Sequence, residues 1–407
     1  MSEWKETDIG LIPENWSIQL ANQYCPAITD GTHDSPKSQS SGYPLITSKH
    51  IKGSSIDFEN AYLISKDDYF NIIKRSKVDQ YDLIVSMIGE YCGFTYLETS
   101  TETNYAVKNV GLLKNRDLIN ARWLMYYLRS PIGSHQLRLN RGGTSQPYIS
   151  LQALRNLLIA IPSSEIEKRE ITETLASLDR KISNLRQQNE TLESIAQTLF
   201  KYWFVDFEFP NEDGKPYKSS GGAMVRSDLG DIPVGWEVGK LGDLFILNYG
   251  KSLTFENRFS GDYPVVGSSG IVGNHRDYLV KSPGIVIGRK GTIGEVIWLE
   301  EHFNPIDTTF YVEDVLGCNG LYFYYFLIKN QNFKRLTSDS AVPGLNRDMA
   351  YSIEIAIPKI NKINKFNTFA KSVFNKINLN HKQIQTLTQT RDRLLPKLMS
   401  GQLRIPE

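Results

Sequence analysis

The chain has 407 residues, 40% hydrophobic and 22% charged, and 46 basic against 45 acidic side chains leave a formal net charge of +1. That length suits two or three soluble domains, no run approaches the ~18 apolar residues of a membrane span, and the opening MSEWKETDIG has neither the basic nor the apolar region of a secretory signal, so a cytoplasmic location is expected. A near-neutral balance excludes a protein that is basic throughout; if it binds nucleic acid, its positive charge is gathered on one face or supplemented by partner subunits.

Along the chain, a first globular stretch spans residues 1–162. It opens on DIGLIPENWSI (8–18), carries short β-type runs such as DLIVSMIG and a helical piece, ARWLMYYLRS, and ends on IAIP (159–162). Mixed α and β structure is expected, with no strand order legible. From 163 to 204 glycine nearly vanishes and an apolar heptad period takes over. One seam reads Ile171, Leu178, Leu185, Leu192, Leu199 and the other Leu175, Ile182, Asn189, Ala196, the signature of a coiled coil. Ser164 with Glu167 predicts a capping box at its start. This helical region is placed at 163–209. PNEDGKPYKSSGG (210–222) reads as exposed, giving a linker over 210–227.

A second globular stretch, 228–358, repeats the first. DLGDIPVGWEV (228–238) matches the opening motif: Ile12, Pro13 and Trp16 recur as Ile232, Pro233 and Trp236, 220 residues on, and IAIP recurs at 355–358. An internal repeat is a statement about architecture. A second heptad helix then fills 359–407, with seams Phe366, Val373, Asn380, Leu387, Leu394 and Ala370, Ile377, Ile384, Arg391, Leu398. It meets Pro396 and stops near Gly401.

Two seams in one chain should pair. Parallel pairing in repeat register sets Asn189 against Ile384 and Asn380 against Leu185, burying amides against apolar side chains. Antiparallel pairing can set Asn189 against Asn380, Leu185 against Ile384, Ile182 against Leu387, Leu175 against Leu394, Leu192 against Ile377 and Ala196 against Val373. Only Leu178 against Arg391 is imperfect, and arginine can snorkel; the alternative is that both asparagines sit at frayed or solvated positions. The expected fold is α+β: two similar mixed modules separated by an antiparallel coiled coil, a rod of ~50 Å at 1.5 Å per residue. A DNA turn spans about 34–36 Å, so two diverged modules at that spacing suit a non-palindromic bipartite site with an unread gap.

Catalytic signatures are missing. There is no Pro-Pro dipeptide of the kind an amino-methyltransferase loop needs. Gly250-Lys251-Ser252 lacks the preceding glycine of a phosphate loop, since Phe245 stands there. Gly288, Gly291 and Gly294 read as tight turns, with no long helix following. Cys25, Cys92 and Cys318 are far apart and the six histidines show no ligand spacing, so neither metal nor disulfide is expected.

YPVVGSSGIVGNHRDYLVKSPGIVIGRKGTIGEVIWLEEHFNPIDTTFYV (263–312) and ITDGTHDSPKSQSSGYPLITSKHIKG (28–53) resemble target-recognition domains of type I restriction-modification specificity subunits. LFKYWFVDFEFP (199–210) and LLPKLMSGQLRIP (394–406) resemble the ends of that family's two helical regions. The resemblance implies a non-catalytic subunit that reads double-stranded DNA. Two modification subunits would dock on it and methylate adenine with S-adenosylmethionine, and restriction subunits would add translocation and cleavage driven by ATP with Mg2+. No cofactor is expected in this chain. The alternatives are a stand-alone DNA-binding repressor or decoy, or a coiled-coil scaffold.

Groove reading needs exposed polar and basic residues on loops carried by a rigid scaffold. RLNRGGTSQPYIS (138–150) offers Arg141, Thr144, Ser145, Gln146 and Tyr148, a loop the resemblance places near DNA, and TSKHIKG (47–53) adds Ser48, Lys49 and His50. The matching second-module candidates are Ser340, Asn346 and Arg347, with Ser268, Ser269, His275, Arg276, Arg289 and Lys290. A solvated or packed loop residue is the alternative at each position. Phe200, Tyr202, Trp203, Phe204 and Phe207 pack the helix end against a module or form a docking surface for the modification subunit.

Overall fold

The computed structural model describes residues 3–143, 145–333, 336 and 344–405. The fold is α+β, and the chain divides into two compact units: residues 1–183 with 384–407, and residues 184–383. Each is built on the same plan.

The first unit opens with a hairpin, Trp4–Thr7 against Gly10–Pro13. Gly10 takes φ +96° at its turn, a conformation that favours glycine, and the Thr7 hydroxyl donates to the Gly10 carbonyl. Ser17–Leu20 pairs antiparallel with Leu158–Ile161, the strand that holds the first three residues of the IAIP motif. A four-stranded antiparallel sheet runs in the order Ile28–Asp30, Val110–Leu113, Leu83–Ser86, Thr95–Leu97. Its two central strands are buried along their whole length. Alternation explains why: Leu83 and Val85 point into the main core with Trp123 and Leu124, while Ile84 faces a second cluster with Ile46, Val110 and Leu112. A smaller sheet, Leu63–Ile64, Tyr43–Thr47 and Ala106–Lys108, completes the module, the last two strands being parallel.

The second unit repeats these parts. Met224–Ser227 pairs with Gly230–Pro233, again with a hydroxyl (Ser227) donating to the glycine carbonyl and with φ +92° at Gly230. Glu237–Lys240 pairs with Glu354–Ile357. The four-stranded sheet runs Phe245–Tyr249, Thr309–Asp314, Gly284–Gly288, Val296–Leu299, and the smaller one joins Gly270–His275, Tyr263–Gly267 and Asn304–Pro305. The expected linker over 210–227 is therefore built in. Its last four residues form the first strand of the second module, and Tyr217 stacks on Phe209 at 4.5 Å.

The heptad stretches are two 40-residue helices, Glu165–Phe204 and Ile360–Met399, and they pack together antiparallel. In the second unit, Ala196 and Phe200 of the first helix share a core with Phe366, Ala370 and Val373 of the second, flanked by Leu192, Leu199 and Ile377. The Asn380 side-chain amide donates to Asn189 Oδ1 at 2.8 Å, with Asn189 8% and Asn380 0% exposed. Leu185 is buried there too. In the first unit, Ile171 and Leu175 share a core with Leu394 and Leu398; Ile182 is buried, and Ile384 and Leu387 are half-buried. Arg391 does more than reach for solvent, since its guanidinium donates to Asp179 at 2.8 Å. Pro396 lies inside the helix, which ends only after Met399, and Gly401 follows at φ +73°.

The capping box forms by half. Ser164 Oγ accepts from the Glu167 amide at 3.3 Å. The Glu167 carboxylate turns inward instead, accepting from Trp16 Nε1 at 3.4 Å and from the Arg404 guanidinium. The aromatic run after the first helix is mostly core: Phe200, Trp203 and Phe204 are buried, Phe207 packs against that core, and Tyr202 alone of the five is exposed.

Replacing Asn189 by alanine leaves the buried Asn380 amide unpaired, a cost of about 1–3 kcal/mol, whereas leucine at both positions restores or exceeds the original stability. Urea unfolding followed by circular dichroism checks the ordering. A neutral single variant contradicts the assignment.

Candidate nucleic-acid interface

Each module brings two loops together at one end of its four-stranded sheet. In the first module, the turn after Leu83–Ser86 meets the hairpin Arg141–Gly142/Tyr148–Ile149. Ile149 N donates to Met87 O and Gly89 N to Pro147 O, both at 2.8 Å, so the two loops form one surface. Gly89 and Gly93 sit at φ +83° and +90°, which lets the turn fold tightly. Ser145, Gln146 and Tyr148 are exposed on this surface. Arg141 is exposed as well and is tied at one end to the Cys92 carbonyl. Thr144 lies outside the described residues.

Ser48, Lys49 and His50 do not form a reading group. Ser48 is 5% exposed; its hydroxyl donates to Asn109 O at 2.7 Å and accepts from the amides of Met87 and Ile88 at 3.1 and 3.2 Å. It props up the turn from beneath. His50 is 1% exposed, and its Nδ1 accepts from the Thr47 amide at 2.9 Å. Burial first, then the Lys49 charge, hold the imidazole below the usual histidine range, so it is neutral. Lys49 alone of the three is exposed.

In the second module, Leu345 N donates to Arg289 O at 2.9 Å and Lys290 bridges Gly344. These contacts match Ile149 to Met87 and Tyr148 to Ile88 in the first. Ser268 and Ser269 form the turn between Tyr263–Gly267 and Gly270–His275, Ser269 being exposed and Ser268 half-buried. His275 is 9% exposed, and its Nδ1 accepts from the Phe259 amide at 3.1 Å, so it braces a loop rather than reads a base. Arg276 is exposed, stacked at 4.5 Å on Phe259 and bonded to Asp277. Asn346 is half-buried and is the N-cap of helix Arg347–Tyr351, its Oδ1 accepting from Met349 N at 3.0 Å, as Ser150 caps Leu151–Arg155 in the first module. Arg289, Lys290 and Arg347 are half-buried at the surface. Ser340 lies outside the described residues.

Sequence reasoning passed over several exposed groups. Lys52 lies 3.9 Å from the centre of the Tyr91 ring, beside the exposed Phe94. Tyr249 and Phe255 are exposed beside arginines in the second module. Among the described residues no group of three His, Cys, Asp or Glu side chains is placed to hold a metal, the three cysteines are free, and no helix is long and apolar enough to cross a membrane.

The family model of the type I restriction modification DNA specificity domain matches residues 25–194 and again 233–389. The chain is 27% identical to the type I restriction enzyme MjaIX specificity subunit of Methanocaldococcus jannaschii, across 100% of this chain and 98% of that one. It is 23% identical to the type I restriction enzyme HindI specificity subunit of Haemophilus influenzae, across 99% and 100%. A crystal structure of the type I restriction-modification system S subunit from M. genitalium shares the fold, with a TM-score of 0.59, 19% identity and coverage of 94% and 96%.

The inward and outward polar residues should separate in unfolding experiments. Ser48→Ala removes a buried hydroxyl with three partners and costs about 1–3 kcal/mol. Ser145→Ala with Gln146→Ala, both exposed, shifts stability by less than about 0.5 kcal/mol. Differential scanning calorimetry of the purified chain measures both.

Proposed function

The chain belongs to the type I restriction-modification DNA specificity family, as a specificity subunit with two target-recognition domains, and from this premise we propose that it reads a bipartite, asymmetric site in double-stranded DNA. Each module reads one half, and the bases between the halves go unread. One observation carries the reading. The two modules present equivalent loop pairs, Met87–Phe94 with Arg141–Ile149 and Arg289–Gly294 with Gly344–Asn346, on matching scaffolds, yet the side chains on them differ. Equal frames with unequal residues suit two different half-sites.

Chemistry belongs to partners in this reading. Two modification subunits methylate adenine with S-adenosylmethionine, and restriction subunits supply translocation and cleavage with ATP and Mg2+. In the second unit, an apolar groove on the helices, lined by Ile195, Leu199, Tyr202 and Phe369, supports docking of a modification subunit there. Burying such side chains stabilises an interface by roughly 25 cal/mol per Å² of apolar surface.

Co-expression with a type I modification subunit from the same host, followed by methylation mapping of the host DNA, tests both parts. A split adenine-methylated motif should appear and vanish when this chain is deleted. Gln146→Ala should relax one half of the motif and leave the other intact. Tyr202→Asp should abolish co-purification of the modification subunit without lowering the melting temperature. Absence of any split motif refutes the reading.

A further inference from the structure

Among the described residues, one cluster in the second module has no counterpart in the first. Tyr249 ends the strand Phe245–Tyr249 and is 49% exposed. The guanidinium of Arg289 lies 5.0 Å from its ring centre and that of Arg347 lies 5.1 Å from it. Cations are drawn to an aromatic face by the ring quadrupole, so a single ring holds both. Three distant segments supply the three residues: a strand end, the turn after Gly284–Gly288, and the first position of the helix Arg347–Tyr351.

The two arginines are differently tethered. Arg289 donates through Nη1 to the Asp307 carbonyl at 2.8 Å and also lies near Phe310. Arg347 has a buried Nε that finds no partner among the described residues. Among those residues neither arginine is in a salt bridge, although many other arginines are. A cation at the first position of a helix is also unfavourable to the helix dipole. Arg347 is thus placed where it does not serve the stability of its own helix.

The matching positions of the first module show what the scaffold does without this cluster. Tyr249 pairs with Phe310 as Asp30 pairs with Gly111, and each is followed by a glycine pressed against a carbonyl, Gly250 on Ile306 and Gly31 on Val107. Arg289 corresponds to Met87 through the shared amide contact, and Arg347 to Leu151 through the shared helix start. Asp30 is buried, ion-paired with Arg75 and in hydrogen-bond contact with His33, Met87 is buried, and Leu151 packs on the core. At three equivalent points, one module carries an acid and two apolar side chains; the other carries a ring and two guanidiniums.

Resting on the DNA-reading function above, we propose that Tyr249, Arg289 and Arg347 form the specificity-determining cluster of the second module, with Arg347 reading a guanine. A planar guanidinium fork matches guanine O6 and N7 in the major groove. Arg289, with one donor already engaged, contacts the neighbouring phosphate. Tyr249 is a positioning residue: it holds both forks in place before DNA arrives, which lowers the ordering cost of binding.

The test uses the full chain co-expressed with its modification subunit, with methylated motifs read from host DNA and discrimination measured on duplexes carrying single base changes. The wild type should give a split motif with guanine in at least one half. Arg347→Ala and Arg347→Lys should both relax one guanine position, by roughly 5- to 150-fold in discrimination, leaving the other half unchanged. The lysine variant keeps the charge, so its overall affinity should hold. Tyr249→Leu should relax the same position, and Tyr249→Phe, which keeps the ring, should behave as wild type. The proposal is overturned if Arg347→Lys and Tyr249→Leu retain wild-type discrimination, if relaxation appears in both halves, if affinity falls uniformly across all sequences, or if the motif lacks guanine. A wild-type complex with no split motif overturns the DNA-reading function itself, which distinguishes the two failures.

Discussion

The hydrogen bond from Asn380 to Asn189 sets the register on which the helical region depends. Both amides lie in an apolar seam, where each would cost about 1–3 kcal/mol if left unpaired. A slip of one heptad would place them against Leu387 and Ala196, or against Val373 and Ile182. The bond therefore penalises other alignments more than it stabilises this one. With it in place, Ala196 and Phe200 meet Phe366, Ala370 and Val373, so the helix ends become part of the second module's core. A buried polar pair used for register rather than strength is a well-attested device.

Helices and duplication were legible in the residues because both rest on periodic information. Heptads persist over 40 residues, and Ile-Pro with a following Trp recurs at a constant offset, so the seams and the asparagine pairing could be read directly. The hairpin at Met224–Ser227 was hidden because the preceding Gly and Ser composition dominates a short strand. Comparing Thr7-Asp8-Ile9-Gly10 with Ser227-Asp228-Leu229-Gly230 would have exposed it, since each pair supplies a hydroxyl and a glycine to the same turn.

Site residues were less legible because residue type does not state direction. Ser48, His50, His275 and Asn346 have the chemistry of base readers, yet each spends it on main-chain groups. Glu167 behaves similarly, leaving the cap to anchor Arg404. The same economy appears in both modules: polar groups inside hold loops in shape, and other residues on those loops are free to diverge. Tyr249, Arg289 and Arg347 illustrate the limit of spacing arguments, because strand pairing and a helix start unite residues that lie far apart in sequence.

The division of the chain has a consequence for biosynthesis. The second unit is one uninterrupted stretch, 184–383, while the first needs residues 384–407 as well. Leu398 and Met399 complete the core around Trp16 and Ile171, Gly401 lies against Pro13, and Arg404 closes on Glu167, 237 residues earlier. The module translated first is thus the last to be finished. At about 5–20 residues per second on the ribosome, Glu167 waits on the order of ten to fifty seconds for its partner, with the apolar face beside it uncovered. That interval makes the nascent first module the natural client of a chaperone, and it makes a chain truncated before Leu398 defective at its beginning rather than at its end.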